Sequence, residues 1–225
     1  MKSFISEDDI EQAICNRLAQ ANYGWKRIEC DARVEAQDDV STTGRANTAE
    51  CILPDVFLAT LKRLNPQVDE VVLQSILRDF RKDYSGTDMV DTNYEFYNKM
   101  REGIQVPVRK NGKEDFEIVR LIDFDHPEMN EFHCVNQMWI KGHYRYRRPD
   151  VLLFVNGMPV VFIELKNSTV KIEESYNKNL TSYRKDIPNI FAMNQICVLS
   201  NGLQTKIGAW NSNYEFFFEW LRVDD

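Results

Sequence analysis

A chain of 225 residues with 43% hydrophobic content can bury a sizeable core, as one domain or as one with an accessory helical part. Its formal net charge of −7 opposes a module that grips nucleic acid unaided, since phosphate contacts dominate such affinity, but not one to which the nucleic acid is delivered. Five cysteines without C-x-x-C spacing, no signal-peptide core and no apolar run near the roughly 20 residues of a membrane span exclude a disulfide scaffold, a zinc ribbon and a membrane protein. They imply a reduced, cytoplasmic chain with buried thiols.

Residues 6 to about 20 read as a helix, with Ser6 as N-cap, acids in the first turn and Ile10, Ala13, Ile14 and Leu18 as the apolar stripe. Glu11 falls at the edge of that stripe and Glu7 within it. Each is either a first-turn charge reaching for water or a group aimed at a neighbouring site. Gly24-Trp25 closes the region, and the polar, turn-rich residues 29–50 are expected to form an exposed loop. Helical spacing then recurs over 53–64, 67–83 and 91–101, a helical insertion at about 52–101. The aromatic residues Tyr94, Phe96 and Tyr97 suit core packing better than base stacking.

A sheet is expected to begin near Gly103, turn at Asn111-Gly112, return over 116–122 and add a third strand over 132–140. Two wholly apolar runs, 151–155 and 160–163, flank Asn156-Gly157, a strong hairpin signal, and belong in the covered centre of the sheet. Residues 168–185 read as a helix and 195–200 as a further buried strand. Asn201-Gly202 turns into a strand ending near Trp210, and the aromatic stretch 214–220 must pack on something. The fold class is α/β: a mixed central sheet flanked by helices, with the helical insertion, read as one domain over 1–225.

The ends of the central hairpin carry charge: Pro149-Asp150 before it, Glu164-Leu165-Lys166 after it. Charges at the ends of buried strands are unfavourable unless paired or bound to a metal. A three-residue loop, 156–158, sets Asp150 opposite Glu164. A two-residue loop pairs Asp150 with Ile163 and turns the carboxylates to opposite faces. Pro159, lacking an N–H, suits a strand start and favours the longer loop. In that register Asp150, Glu164 and Lys166 share one face. Two carboxylates and the Leu165 carbonyl suit Mg²⁺, and Lys166 can orient or deprotonate a water, which is the chemistry of phosphodiester hydrolysis.

Asp…Glu-x-Lys is the signature of the PD-(D/E)xK nuclease superfamily, weak on its own. Here the match extends over Arg148-Pro149-Asp150 through Asn156-Gly157 to Glu164-Leu165-Lys166-Asn167. Residues 121–124 (Leu-Ile-Asp-Phe), Val135-Asn136-Gln137, Asp186-Ile187-Pro188 and Ser200-Asn201-Gly202 extend it further. Over most of its length the chain resembles the nuclease domain of the restriction (R) subunit of type I restriction-modification enzymes.

That resemblance implies a restriction-endonuclease-like core and Mg²⁺-dependent cleavage of double-stranded DNA, Mn²⁺ being able to substitute. It also implies no sequence specificity of the domain itself. Catalysis would rest on Asp150, Glu164 and Lys166, with Glu11 as the metal-facing acid of the first helix and Glu7 as the alternative. The family's Gln-x-x-x-Tyr pair after Glu-x-Lys maps onto Asn179 and Tyr183, a departure at the first position that puts its role in doubt. Translocase domains of the same subunit, absent from this chain, would use ATP, and methyltransferase and specificity subunits would be partners.

Lys141, His143, Arg145, Arg147 and Arg148 form one basic stretch before the hairpin, either a solvated loop or a backbone contact leading phosphates inward. His126, His133 and His143 lack ligand spacing, and Gly112-Lys113 lacks the remainder of a P-loop. Two rival readings remain: a free-standing repair or junction-resolving nuclease, which the acidic charge opposes, and a degenerate docking module, which the intact Asp, Glu and Lys oppose.

Overall fold

Helix α1 (Glu7–Leu18) starts where Ser6 places it, in a reciprocal cap: Asp9 N donates to Ser6 Oγ at 3.1 Å and Ser6 N to the Asp9 carboxylate at 3.1 Å. The computed structural model describes residues 4–110 and 113–220, so the Asn111-Gly112 turn lies outside the described residues. A short strand β1 (Lys26–Glu29) follows, then α2 (Pro54–Leu64), α3 (Glu70–Phe80) and α4 (Met89–Glu102). Asp69 and Asp88 cap α3 and α4 by accepting first-turn N–H groups. Next come β2 (Ile104–Lys110), β3 (Lys113–Val119), β4 (Phe132–Asn136), β5 (Ile140–Lys141), β6 (Tyr146–Arg147), β7 (Val151–Val155) and β8 (Met158–Leu165). After β8 the chain runs through α5 (Ile172–Glu174), a π-helical turn (Ser175–Leu180) and α6 (Thr181–Asp186), then β9 (Ile196–Ser200), β10 (Thr205–Gly208) and β11 (Phe218–Glu219).

Seven strands form one mixed sheet in the order β1-β4-β7-β8-β9-β10-β11. β1 runs parallel to β4 and β8 parallel to β9, while the other neighbours are antiparallel. Along β7 the side chains alternate between two covered faces, which is why the run is apolar throughout. Leu152 and Phe154 join Phe162, Leu199, Leu180 and Phe191 on one face. Val151 and Leu153 join Ile163, Leu165, Ile10 and Cys15 on the other. Each fully buried side chain of this kind contributes about 1.5–3 kcal/mol. Four cysteines are buried and Cys30 is half-buried, all of them free thiols.

Three expectations change. Residues 29–50 are not simply an exposed loop. β1 ends at Glu29, and Arg45 is buried, its guanidinium donating to Thr43 Oγ1 at 2.9 Å and to the carbonyls of Glu50 and Trp139 at 3.0 Å. A polar segment can be internal when its donors are met this way.

Strands β2 and β3 form a separate ribbon rather than the start of the central sheet. Val106 and Val119 pack with Phe57, Phe80 and Phe96 of the helices, while Phe116 and Ile118 face outward. Finally, β4 stops at Asn136, because Gln137 adopts a left-handed φ of 59°. Of the final aromatic stretch, Phe217 is buried against Tyr176, whereas Phe216, Phe218 and Trp220 are exposed.

Candidate active site

The charged ends of the central hairpin do meet, by a device the sequence did not disclose. Val155 pairs with Met158, so the loop is the two-residue turn Asn156-Gly157, with φ of 53° and 82°. That corrects the three-residue loop. By itself this turn would set Asp150 against Ile163, but the register shifts between Leu153 and Phe154, where Val160 forms a bulge, and beyond it Val151 pairs with Ile163. The next step sets Asp150 against Glu164. The Val160 carbonyl is met on the β9 side, accepting Gln195 N at 2.8 Å and Asn194 Nδ2 at 3.2 Å.

Asp150 Oδ2 accepts the Leu165 N–H at 2.7 Å, which anchors the two strand ends to each other. Glu164 is 1% exposed and one oxygen, Oε2, has no hydrogen-bond partner. Its other oxygen accepts from Asn179 Nδ2 and, at 3.2 Å, from Lys166 Nζ. Lys166 Nζ also donates to the Leu165 carbonyl at 2.7 Å and lies 3.8 Å from Glu7.

Glu11 is buried on α1, its carboxylate accepting Asn136 Nδ2 at 2.8 Å and also Gln137 Nε2. Glu7, Glu11, Asn136, Gln137, Arg148 and Asp150 line one cleft of about 670 Å³, which is strongly acidic. Among the described residues, no three His, Cys, Asp or Glu side chains already form a metal cluster.

Asn179 lies in the π-helical turn, an irregularity that re-aims single side chains, and its amide reaches Glu164 although it is one methylene shorter than Gln. Tyr183, four residues on, is buried, and its hydroxyl donates to the Arg148 carbonyl at 3.2 Å. Burial and the negative charges of Glu164 and Asp150 hold that hydroxyl well above the usual tyrosine range.

The basic stretch disperses. Arg147 pairs with Asp186 and Arg148 donates to the Ala32 carbonyl at 2.7 Å while stacking over Trp139, whereas Arg145 is exposed. Asn136 and Gln137 are the residues to which sequence reasoning gave no role. The only signal was their place in the matched motifs, for a left-handed Gln is invisible in sequence.

Both central carboxyls titrate high. Burial pushes Asp150 up to about 6, and the charges of Glu7 and Glu11 add to it against the Leu165 N–H and Lys166. Burial and then the charge of Asp150 push Glu164 up to about 8, against Lys166 and Asn179. In the unfolded chain such carboxyls lose their protons near about pH 4. Between that pH and the raised values the folded state binds more protons, so metal-free stability falls as pH rises. Thermal melts in EDTA are therefore expected to show the melting temperature falling between pH 5 and 8 relative to an Asp150→Asn/Glu164→Gln variant. A wild type–variant difference that stays constant with pH contradicts this assignment.

A family model described as "Type I restriction enzyme R protein N terminus" matches residues 4–216. The chain is 31% identical over 226 residues to the type I restriction enzyme HindI endonuclease subunit of Haemophilus influenzae, covering 98% of this chain and 21% of that protein. It is 30% identical over 223 residues to the putative type I restriction enzyme MjaIXP endonuclease subunit of Methanocaldococcus jannaschii, covering 96% and 20%. The chain thus spans about a fifth of the length of these relatives.

Proposed function

This chain belongs to the family of type I restriction enzyme R protein N termini, and from that premise we propose that it is the metal-dependent endonuclease part of such a subunit. It hydrolyses phosphodiester bonds of double-stranded DNA and has no sequence preference of its own. The observation that carries this reading is the meeting of Asp150, Glu164 and Lys166 at one end of a buried hairpin, with Glu164 Oε2 left without a partner. A buried carboxylate oxygen with no donor is costly unless something cationic meets it.

The donor set fits Mg²⁺, a hard cation that takes oxygen ligands from one or two carboxylates and keeps several waters. Asp150, Glu164 and the Leu165 carbonyl would hold it, since that oxygen keeps a second lone pair beside its bond from Lys166. Glu11 would add negative charge from α1. Mg²⁺ or Mn²⁺ supplies Lewis-acid polarisation of a phosphoryl oxygen and eases deprotonation of water at neutral pH.

The chain's own groups do the rest. Lys166 places its ammonium beside both Glu164 and the Leu165 carbonyl, where it orients the attacking water and stabilises charge developing on the phosphate. Asn179 occupies one oxygen of Glu164 and so leaves the other for the cation. The acidic cleft and the net charge of −7 mean that DNA approach needs help. That help is assigned to the ATP-using translocase domains of the same subunit and to the methyltransferase and specificity subunits, in a cytoplasmic complex. Among the described residues, no helix is long and apolar enough to cross a membrane.

Nicking of supercoiled plasmid, with Mg²⁺ and with Mn²⁺, tests the reading beside a Lys166→Ala variant. Metal-dependent nicking lost in the variant is the expected result. No nicking but measurable Mn²⁺ binding moves the test to the assembled R subunit, where the same loss is expected. Neither nicking nor binding overturns the reading in favour of a docking module.

A further inference from the structure

Strand β4 ends in a residue under backbone strain: Gln137, at φ 59°, is one of two non-glycine residues with positive φ among those described. Its N–H nevertheless donates to the Asp150 carbonyl at 3.0 Å, which ties the strained residue to the strand that carries the site. From there its side chain and that of Asn136 converge on Glu11. Asn136 Nδ2 donates to Oε1 at 2.8 Å, and Gln137 Nε2 donates to Oε2. Glu11 is 4% exposed and Asn136 fully buried.

Both oxygens of Glu11 are thus held by donors that carry no charge. A Lys or Arg partner would bring a counter-charge to this carboxylate, whereas two amides fix its orientation without one. The two amide oxygens, Asn136 Oδ1 and Gln137 Oε1, are buried and accept no hydrogen bond. A fastening of α1 to the sheet would need neither strain nor two donors on one carboxylate. We propose that Asn136 and Gln137 are positioning residues, an amide clamp that holds the Glu11 charge beside Asp150 and preorganises the cleft for a divalent cation. The inference rests on the nuclease reading above and deepens it.

Gln137→Gly is the informative variant, because it removes the donor and also relieves the left-handed backbone. Its melting temperature is expected to equal or exceed that of the wild type. Calorimetric titration of the metal-free 225-residue chain with Mn²⁺ alone is expected to show about 10-fold weaker binding, the usual lower scale for losing a group that orients a ligand. Glu11→Ala should weaken binding at least as much, and adding Gln137→Gly to it should weaken binding no further.

Unchanged affinity in Gln137→Gly, with or without a fall in melting temperature, overturns the clamp. So does a 10-fold loss that persists undiminished in the Glu11→Ala background, for Gln137 would then act independently of Glu11. A wild type that binds no Mn²⁺ overturns the nuclease reading together with the clamp, and is thereby distinguishable from failure of the clamp alone.

Discussion

Glu164→Gln is expected to abolish metal-dependent cleavage while making the metal-free chain more stable. The carboxyl is 1% exposed, has one oxygen without a partner, and is driven above its ordinary range by burial and by Asp150. An amide of nearly the same shape keeps an oxygen to accept from Asn179 and Lys166 and removes the ionisable group that burial penalises. The gain should read as a melting temperature several degrees higher at pH 8, at roughly 2–4 °C per kcal/mol for a domain of this size.

The loss of a charged cation ligand should lower cleavage about a thousandfold or more, by the scale of preorganised electrostatic groups. Lys166→Ala should lose cleavage similarly but without the stabilisation, because it takes the ammonium away from Glu164 and leaves the carboxyl buried. Cleavage by Glu164→Gln above a tenth of the wild-type rate, or a lower melting temperature, contradicts the assignment.

Gly157→Ala is expected to destabilise the chain by about 3 kcal/mol or more. Gly157 has φ 82°, and an added Cβ would lie 2.6 Å from the Leu53 carbonyl oxygen and 2.8 Å from Phe57 N at the start of α2. The Leu53 N–H also donates to the Gly157 carbonyl at 2.9 Å, so the turn cannot move without disturbing that helix end. The left-handed backbone and the close approach therefore add.

The neighbouring Asn156 is likewise enclosed, its side chain donating to the Leu121 carbonyl and accepting from Glu131 N. Thermal melts should show a fall of roughly 6–12 °C. Gly86→Ala, which meets nothing within 4 Å, is the control and should shift little. A Gly157→Ala melting temperature within about 2 °C of wild type would mean that the turn adapts freely.

The helices were legible because caps and periodicity are properties of consecutive residues. Ser6 marks the first helix start, and the apolar spacing of 53–64 and 67–83 gives α2 and α3 their buried faces, whereas the caps Asp69 and Asp88 came from the structure. The hairpin strands were legible for the same reason, and with them the three charged residues at their ends.

Their alignment was not. Asp150 faces Glu164 through a two-residue turn and a bulge, and the bulged Val160 is met by Asn194 and Gln195, more than thirty residues further along the chain. Polar composition misled over 29–50, where Arg45 is internal because carbonyls distant in sequence satisfy it. The partners of Arg147 and Arg148 were equally hidden in the sequence, for Asp186 and the Ala32 carbonyl lie far from them along the chain.

By itself the sequence determined the main helices, the central hairpin and the charged residues at that hairpin's ends. Only the tertiary structure decided which of those charges are answered. Glu11 is met by two amides, Arg147 by Asp186, and Glu164 keeps one oxygen without a hydrogen-bond partner. The reason is physical: capping and periodicity act within a few residues, whereas a buried charge is satisfied by whatever the packed fold brings within about 3 Å of it.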